Sequence, residues 1–319
     1  MSRARVVIAA LVALSLPGVS AAASPSVAVR AHNVDILMSD TVSAHLIDLT
    51  AELGPRSGYQ RVDLEDADSF AIRVTAGCAR LSADQLTRLF NDRILDYAPR
   101  ALNDVHFVPE RDAMQVTGGV RLWHRVPPFW LSFRATTDAH VTDDGLIRLT
   151  VRDEHVLGLP VGGLLNLAHT PLSGLLSLDG PGTRVTGDTV VIDAQEVLPG
   201  PAVTNRPVSA SLSSAGLTVC FAGDPAETRP ALPTDLATDL AAPTSYLWVE
   251  GPELAALGQT IAPARLLVTD EREDSAPMRF RLVKSRGQIA AGQIRLDARG
   301  RMTIVPGPAD PPAVDSTGD

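Results

Sequence analysis

The sequence predicts an α+β protein in which antiparallel strands dominate, two main helices interrupt them and a small β segment follows at the C-terminal end. Three observations carry this prediction. Apolar residues alternate with polar ones through most of the chain, a capped helical segment follows residue 81, and a leucine-rich segment follows Pro160. Alternation places every second side chain on one face of a strand, whereas spacings of three and four place them on one face of a helix.

Alternating segments account for the predicted strands. Apolar residues recur two positions apart from Phe70 to Cys78 and from Met114 to Leu122, and the pattern continues after a double proline up to Phe133. The same alternation predicts strands at residues 146–151, 189–194, 208–212, 217–221, 266–268, 278–282, 294–296 and 302–304.

The segment from Thr41 to Leu53 supports two interpretations. An alternating set predicts a strand: Ile47, Leu49, Ala51 and Leu53. A second set also fits the spacing of a helix: Val42, Leu46, Leu49 and Leu53. We favour a strand because the neighbouring segments are strands.

The first predicted helix begins at Ser82. Ser82 followed by Gln85 is a capping-box pattern, in which two side chains satisfy backbone N–H groups that the first turn leaves unpaired. Apolar residues then recur at helical spacing, and Pro99 ends the segment. These apolar residues include Leu86, Leu89, Phe90 and Ile94.

The second predicted helix begins near Pro160, which suits a first helical turn, and Pro171 should kink or split it. Its polar residues are few and uncharged. A helix that is apolar on nearly all sides needs cover from protein or from a ligand. Its leucines include Leu164, Leu165, Leu172, Leu175 and Leu176.

The two ends of the chain carry distinct patterns. Arg3 and Arg5, an apolar run and small residues up to Ala23 predict a cleavable signal peptide at residues 1–23, and hence a periplasmic or secreted protein. We expect a main domain at residues 24–222 and a proline-rich linker at 223–243. A β segment at 244–305 should pack on the main domain, and a disordered tail should occupy 306–319.

Cys78 and Cys220 are the two cysteines of the chain, and each lies in an alternating apolar segment. Export would place them in a compartment where disulfides persist. We expect a bridge between them that ties the start of the main domain to its end; the alternative is two buried free thiols.

Charge and composition narrow the range of partners. The formal net charge is −9 and no cluster of lysine and arginine occurs, so nucleic acid is not expected as a partner. We expect apolar area to dominate binding. Trp123, Phe129 and Trp130 form the one local concentration of aromatic residues, which either packs a strand crossover or forms a lip facing a ligand or a membrane.

Catalytic signatures are missing from the sequence. No nucleophile elbow, zinc-binding His-Glu-x-x-His, phosphate-binding loop or Cys-x-x-Cys occurs, so no cofactor or metal is expected and the protein is not predicted to be an enzyme. The densest polar cluster is Asp153, Glu154 and His155 at a strand end. Neighbouring residues in a strand point to opposite faces, which argues against an acid/base pair there.

Five stretches carry a family resemblance. They are GCARLSADQLTRLFN (77–91), MQVTGGVRL (114–122), PFWLSF (128–133), DGLIRLTV (144–151) and GLPVGGLL (158–165). Their order resembles the tubular lipid-binding (TULIP) superfamily, in particular exported bacterial proteins of the LmeA-like kind. The segment after Pro243 and the cysteine pair depart from that family.

The TULIP resemblance implies a strongly bent antiparallel sheet wrapped around the two main helices, with an elongated apolar groove that takes up acyl chains. The resemblance also implies transient contact with a membrane. The sequence shows no charged residue that would anchor a lipid headgroup. The groove residues that it implies are Leu86, Leu89, Phe90, Ile94, Phe129, Leu164, Leu165, Leu172, Leu175 and Leu176.

Three functions therefore remain in competition. The first is binding or shuttling of a lipid or another apolar ligand in the cell envelope. The second is a structural or interaction protein whose leucines only fill a core. The third is an enzyme of envelope lipid or glycan assembly, which would depend on the Asp153, Glu154 and His155 cluster.

Overall fold

Strands make up most of the protein. The computed structural model describes residues 26–96, 100, 102–111, 113–121, 130–157, 180, 182–221, 245–256, 258–270, 276–282, 285–298 and 300–308. Of these residues, 59% are in strands and 10% are helical. The β-rich prediction is confirmed.

The predicted α+β class, with a bent sheet wrapped around two main helices, is wrong. Within the described ranges the α-helices are short: α1 (Ala83–Leu89), α2 (Ala194–Val197) and α3 (Arg286–Ala290), with a π-helical turn (Phe90–Ile94) directly after α1. Helices of this length cannot form the axis of a sheet whose longest strands have 11–13 residues. The leucine-rich second helix lies outside the described residues.

Nineteen strands are present in the described part of the chain. In chain order they are β1 (Val27–Leu37), β2 (Ser43–Pro55), β3 (Phe70–Leu81), β4 (Leu102–Glu110), β5 (Ala113–Val120), β6 (Leu131–Val141), β7 (Ile147–Leu157), β8 (Thr183–Thr186), β9 (Thr189–Ile192), β10 (Ala202–Val203), β11 (Ser209–Ser213), β12 (Gly216–Phe221), β13 (Tyr246–Gly251), β14 (Leu254–Ala256), β15 (Gln259–Ile261), β16 (Ala264–Thr269), β17 (Met278–Arg281), β18 (Gln293–Leu296) and β19 (Met302–Val305).

The larger sheet has eleven strands in the order β11-β12-β3-β2-β1-β13-β16-β19-β18, with β10 beside β3 and β17 beside β1. Strand β1 is antiparallel to β2 along its whole length. On its other edge β1 pairs with β13 through residues 28–32 and with β17, in parallel, through residues 34–37. Strands from the N-terminal and C-terminal parts of the chain thus belong to one sheet.

The smaller sheet has six antiparallel strands in the order β4-β5-β6-β7-β9-β8. Helix α1 and the π-helical turn pack against β4. The ring centroids of Phe90 and Phe107 are 4.8 Å apart, and the Asn91 amide bonds both the N–H and the carbonyl of Val105. The apolar face of this helix is therefore covered by a neighbouring strand.

The start of α1 confirms the predicted N-cap and modifies the capping box. The Ser82 hydroxyl accepts a hydrogen bond from the Gln85 N–H at 3.3 Å. The Gln85 side chain accepts instead from the Ser43 N–H of β2 at 2.7 Å, so it ties the helix to the larger sheet.

The predicted disulfide between Cys78 and Cys220 is confirmed. The two residues are direct cross-strand partners in β3 and β12, with Cα atoms 4.1 Å apart. The bridge closes a loop with a sequence separation of 142 residues.

Two bulges bend the centre of the larger sheet. Ile47 is an extra residue of β2 relative to β3, and Thr75 is an extra residue of β3 relative to β2. Between them Gly77 has φ +104°, and a Cβ added there would lie 1.9 Å from the Asp48 carbonyl oxygen. Bulges increase the local twist of a strand. Because Gly77 has no Cβ, the backbones of β3 and β2 can approach each other closely where the sheet bends.

None of the helices in the described ranges has both the length and the apolar character needed to span a membrane.

Candidate functional site: an apolar cavity in the larger sheet

A cavity of about 150 Å³ lies on one face of the larger sheet, and we call it the sheet cavity. Its walls are side chains of β1, β2, β3, β10, β13, β16, β17 and β19. Strands β3 and β19 are separated by β2, β1, β13 and β16 in the sheet, yet both contribute to the same cavity. The sheet is therefore curved around it.

Alternation along the strands positions the lining side chains. Leu247 and Val249 of β13 and Leu266 and Val268 of β16 point into the sheet cavity, whereas Trp248 lies on the opposite face between them. The cavity wall is therefore one continuous apolar face of the sheet.

The bulge in β2 explains an irregular part of this wall. Leu46 and Leu49 both line the sheet cavity although they are three residues apart. The extra residue Ile47 shifts the register between Leu46 and Asp48, so the inward phase moves from even to odd positions. Without the bulge one half of β2 would turn its apolar side chains to the wrong face.

Irregular segments cover the open side of the sheet cavity. Leu64, from the loop before β3, and Ile289, from α3, line it together with side chains of the β14–β15 hairpin. Backbone hydrogen bonds join the loop to the hairpin, from Ala255 N–H to the Val62 carbonyl and from Leu64 N–H to the Ala255 carbonyl. The cover is therefore an ordered part of the fold.

Glu65 links three of these covering segments. Its carboxylate accepts two hydrogen bonds from the Arg286 guanidinium of α3, at 2.8 and 3.0 Å, and one from the Gly258 N–H at 3.2 Å. The hydrogen bond and the negative charge of Glu65 raise the pKa of Arg286 above its ordinary value. Glu65 thereby offsets the positive charge of Arg286, which directly follows the cavity-lining Ser285.

Ser285 is the one residue with a polar side chain among the described residues that line the sheet cavity. It precedes α3 and is 4% exposed. All other lining residues are aliphatic, proline, methionine or phenylalanine. The cavity can therefore hold hydrocarbon, and the lining residues that the structure describes include no charged group for proton transfer or metal binding.

The structure places four of the predicted groove residues elsewhere. Leu86, Leu89, Phe90 and Ile94 are buried in the core between α1, the π-helical turn and β4, and none of them lines the sheet cavity. Their apolar face fills with protein side chains such as Phe107. The other predicted groove residues lie outside the described part of the chain. They are Phe129, Leu164, Leu165, Leu172, Leu175 and Leu176.

The residues that line the sheet cavity come from segments that the sequence analysis assigned to strands or left unassigned. Leu49, Ala51 and Leu53 were recognised as an alternating face, and so was Val74. Alternation identifies the buried face of a strand but does not distinguish a filled core from a cavity. No sequence signal could therefore have located the site.

The opposite face of the larger sheet carries two reciprocal histidine–aspartate pairs. His32 Nδ1 of β1 lies 2.6 Å from Asp48 Oδ1 of β2, and His45 Nδ1 of β2 lies 2.9 Å from Asp35 Oδ1 of β1. Each pair is a direct cross-strand pair in the register. These contacts stabilise the pairing of β1 with β2 and lie away from the sheet cavity.

The rest of the described structure contains few clusters of polar side chains. Asp153, Glu154 and His155 follow one another in β7, where His155 is the cross-strand partner of Arg134. A wide, shallow depression of about 650 Å³ beside α1 is lined partly by Ser82, Asp84 and Thr87. Among the described residues, no group of three or more histidine, cysteine, aspartate or glutamate side chains could hold a metal ion.

Comparison with known proteins gives no match, whether to family models, to curated proteins or to solved structures. The resemblance to the TULIP superfamily stays a prediction.

Proposed function

We propose that this is an exported protein that binds the hydrocarbon chain of a lipid in the sheet cavity. The observation that carries the proposal is a void of about 150 Å³ with an almost wholly apolar lining. Protein interiors are packed as densely as organic crystals, and voids larger than a water molecule are few. Apolar voids of this volume stay dry and bind small apolar molecules such as benzene.

The volume sets the length of chain that fits. A water-sized group needs about 15 Å³ of such space, so roughly ten groups fit, and the benzene comparison gives a lower limit of about six carbon atoms. The sheet cavity is smaller than the roughly 300–1,000 Å³ of a pocket for a drug-sized ligand. It therefore suits the end of an acyl chain, with the remainder of the lipid outside.

Two observations support the proposed export. The pattern at residues 1–23 is that of a signal peptide, and the Cys78–Cys220 disulfide suits the oxidising conditions outside the cytoplasm. We propose a periplasmic or secreted location on this basis.

A series of saturated fatty acids with 6 to 16 carbon atoms tests the proposal. Each buried methylene contributes about 0.8 kcal/mol, so affinity should rise about fourfold per methylene and level off near ten carbon atoms. Isothermal titration calorimetry with the delipidated protein measures this dependence. Absence of binding across the series would contradict the proposal and favour a structural protein with a closed core.

Ala51→Leu provides a matched variant for this series. Ala51 of β2 lines the sheet cavity, so a leucine at this position would fill part of it. Leucine has three more carbon atoms than alanine. The affinity should therefore level off at chains that are about three carbon atoms shorter than for the wild-type protein. Ala28→Leu places the same change on β1, at a half-buried position that does not line the cavity, and should leave the series unchanged. An equal effect of both variants would count against the sheet cavity as the binding site.

A further inference from the structure

The inference concerns the entrance of the sheet cavity, and it rests on the proposed lipid binding. A row of cross-strand partners crosses the cavity wall from one strand to the next, and we call it the cavity row. Cross-strand partners point to the same face of a sheet, so this row is one apolar band. From β19 to β3 its members, all of which line the cavity, are Met302, Leu266, Val249, Val29, Ala51 and Val74.

The cavity row continues beyond the cavity onto β18, which is an edge strand of the larger sheet in the described part of the chain. Leu296 of β18 is the cross-strand partner of Met302, and Ile294 is the partner of Ile304, which also lines the cavity. Leu296 and Ile294 therefore lie on the cavity face of the sheet. They are nevertheless 71% and 48% exposed, and we call these two residues the β18 rim.

Exposure falls from the β18 rim inwards. Met302 is half-buried although it lines the cavity, and Leu266 behind it is 2% exposed. At the other end Val74 is buried, and the Asn205 amide donates to its carbonyl and accepts its N–H, at 2.7 and 2.8 Å. The cavity row thus reaches solvent at β18 and ends inside the protein at β3.

The covering segments offer the alternative route into the cavity. Hydrogen bonds hold them together, from Arg286 and the Gly258 N–H to Glu65 and between the backbones of Leu64 and Ala255. An acyl chain that entered through the cover would have to break such bonds. At the β18 rim it meets apolar side chains that already contact solvent.

We propose that the β18 rim is the entrance of the sheet cavity and that it contacts a lipid bilayer, from which the acyl chain passes along the cavity row. Two large apolar side chains on an exposed strand leave water when they insert among lipid tails, which favours this contact. The continuity of the rim with the cavity wall favours a bilayer over a protein partner, because a chain that crosses here stays in apolar surroundings throughout. The methyl end of the bound chain lies towards Val74, and its polar end stays outside at β18.

The test uses a variant that combines Ile294→Ser with Leu296→Ser. Phosphatidylcholine vesicles carry cis-parinaric acid, a fluorescent fatty acid, together with a lipid quencher, so stopped-flow fluorescence follows the transfer of the fatty acid to the protein. The rate for the wild-type protein should rise with vesicle concentration, as contact with the bilayer requires. The variant should take up the fatty acid about tenfold more slowly, because two large apolar side chains no longer insert.

A second measurement separates entry from binding. The affinity of the double variant for decanoic acid in solution should equal that of the wild-type protein, because neither substituted residue lines the cavity. The same measurement shows that the variant is folded. Leu296→Ser alone, at the more exposed of the two positions, should give a smaller loss of transfer rate with the same affinity.

Two further variants serve as controls. Val208→Ser replaces an apolar side chain that is 60% exposed and does not line the cavity, so it should keep the wild-type transfer rate. Glu65→Gln removes the negative charge that holds Arg286 in the cover, and it should also keep that rate.

The outcomes distinguish this inference from the function on which it rests. If decanoic acid binds but the double variant transfers at the wild-type rate, or no more slowly than Val208→Ser, the entrance at β18 is refuted and lipid binding stands. A faster transfer by Glu65→Gln, with no change in the double variant, would place the entrance at the cover. If the wild-type protein binds neither decanoic acid nor cis-parinaric acid, lipid binding itself fails, and the inference fails with it.

Discussion

Replacing both Cys78 and Cys220 with alanine is expected to lower the free energy of unfolding by about 5 kcal/mol. The bridge closes a loop with a sequence separation of 142 residues, and in the chain-entropy model a cross-link over so long a loop removes much of the freedom of the unfolded chain. It also fixes β12 to β3 in the interior of the larger sheet. Equilibrium unfolding in urea, with and without reductant, measures the loss.

The double variant has an internal control. Reduction of the wild-type protein should lower its midpoint to that of the variant, whereas the variant itself should not respond to reductant. A wild-type midpoint that reductant does not change would mean that this bridge is absent or contributes nothing to stability.

Gly77→Ala is expected to lower the free energy of unfolding by more than about 3 kcal/mol. The new Cβ would lie 1.9 Å from the Asp48 carbonyl oxygen and 2.8 Å from the Leu49 Cα, both of which belong to the backbone of β2. Since backbone cannot rotate away as a side chain can, the β2–β3 pairing must separate. Thermal unfolding followed by circular dichroism measures the effect.

Gly58→Ala is the matched control for this prediction. Gly58 also has a positive φ, +94°, but an added Cβ would meet nothing within 4 Å. Only the cost of an unfavourable backbone conformation remains, about 1–2 kcal/mol. Equal losses for the two variants would show that contact with β2 does not determine the requirement for glycine at position 77.

Much of the strand content could be predicted from the sequence. The alternating segments predicted at residues 70–78, 146–151 and 217–221 lie within or overlap β3, β7 and β12. Period-2 alternation is reliable where a strand has one buried face and one partly exposed face. The disulfide was expected because the predicted export would place the two cysteines of the chain, each on such a strand, where disulfides persist.

Strands without a regular alternation could not be recognised. In β1 the buried positions are odd up to Ala31 and even from Val34, with Asn33 at φ 52° between them, so neither phase extends far. Strand β13 is buried on both faces from Tyr246 to Val249 and therefore shows no alternation. Neither strand was predicted, although both lie at the centre of the larger sheet.

The ambiguity of residues 41–53 has a physical explanation. The helix-like spacing of Leu46 and Leu49 arises from the bulge at Ile47, which brings both side chains to the same face of a strand. A single extra residue thus imitates a helical period in the sequence. The strand interpretation was correct, and the bulge accounts for the competing pattern.

The predicted fold class was wrong because two main helices were inferred from their apolar pattern, without regard to their length. The capped segment at Ser82 forms only α1 and a π-helical turn, and its apolar face is covered by β4. This helix face is therefore part of the core. The sheet cavity arises instead from the curvature of the larger sheet, a property of register and bulges between distant strands that a single sequence does not reveal.

The most direct test of lipid binding in the sheet cavity is nuclear magnetic resonance of the methyl-labelled protein with bound decanoic acid. We predict intermolecular nuclear Overhauser effects from the acyl chain to the methyl groups of Leu49, Leu266 and Ile304, which line the cavity. None should reach Leu86, which is packed against β4 in the core. Effects at Leu86 without effects at Leu49, Leu266 and Ile304 would contradict the account.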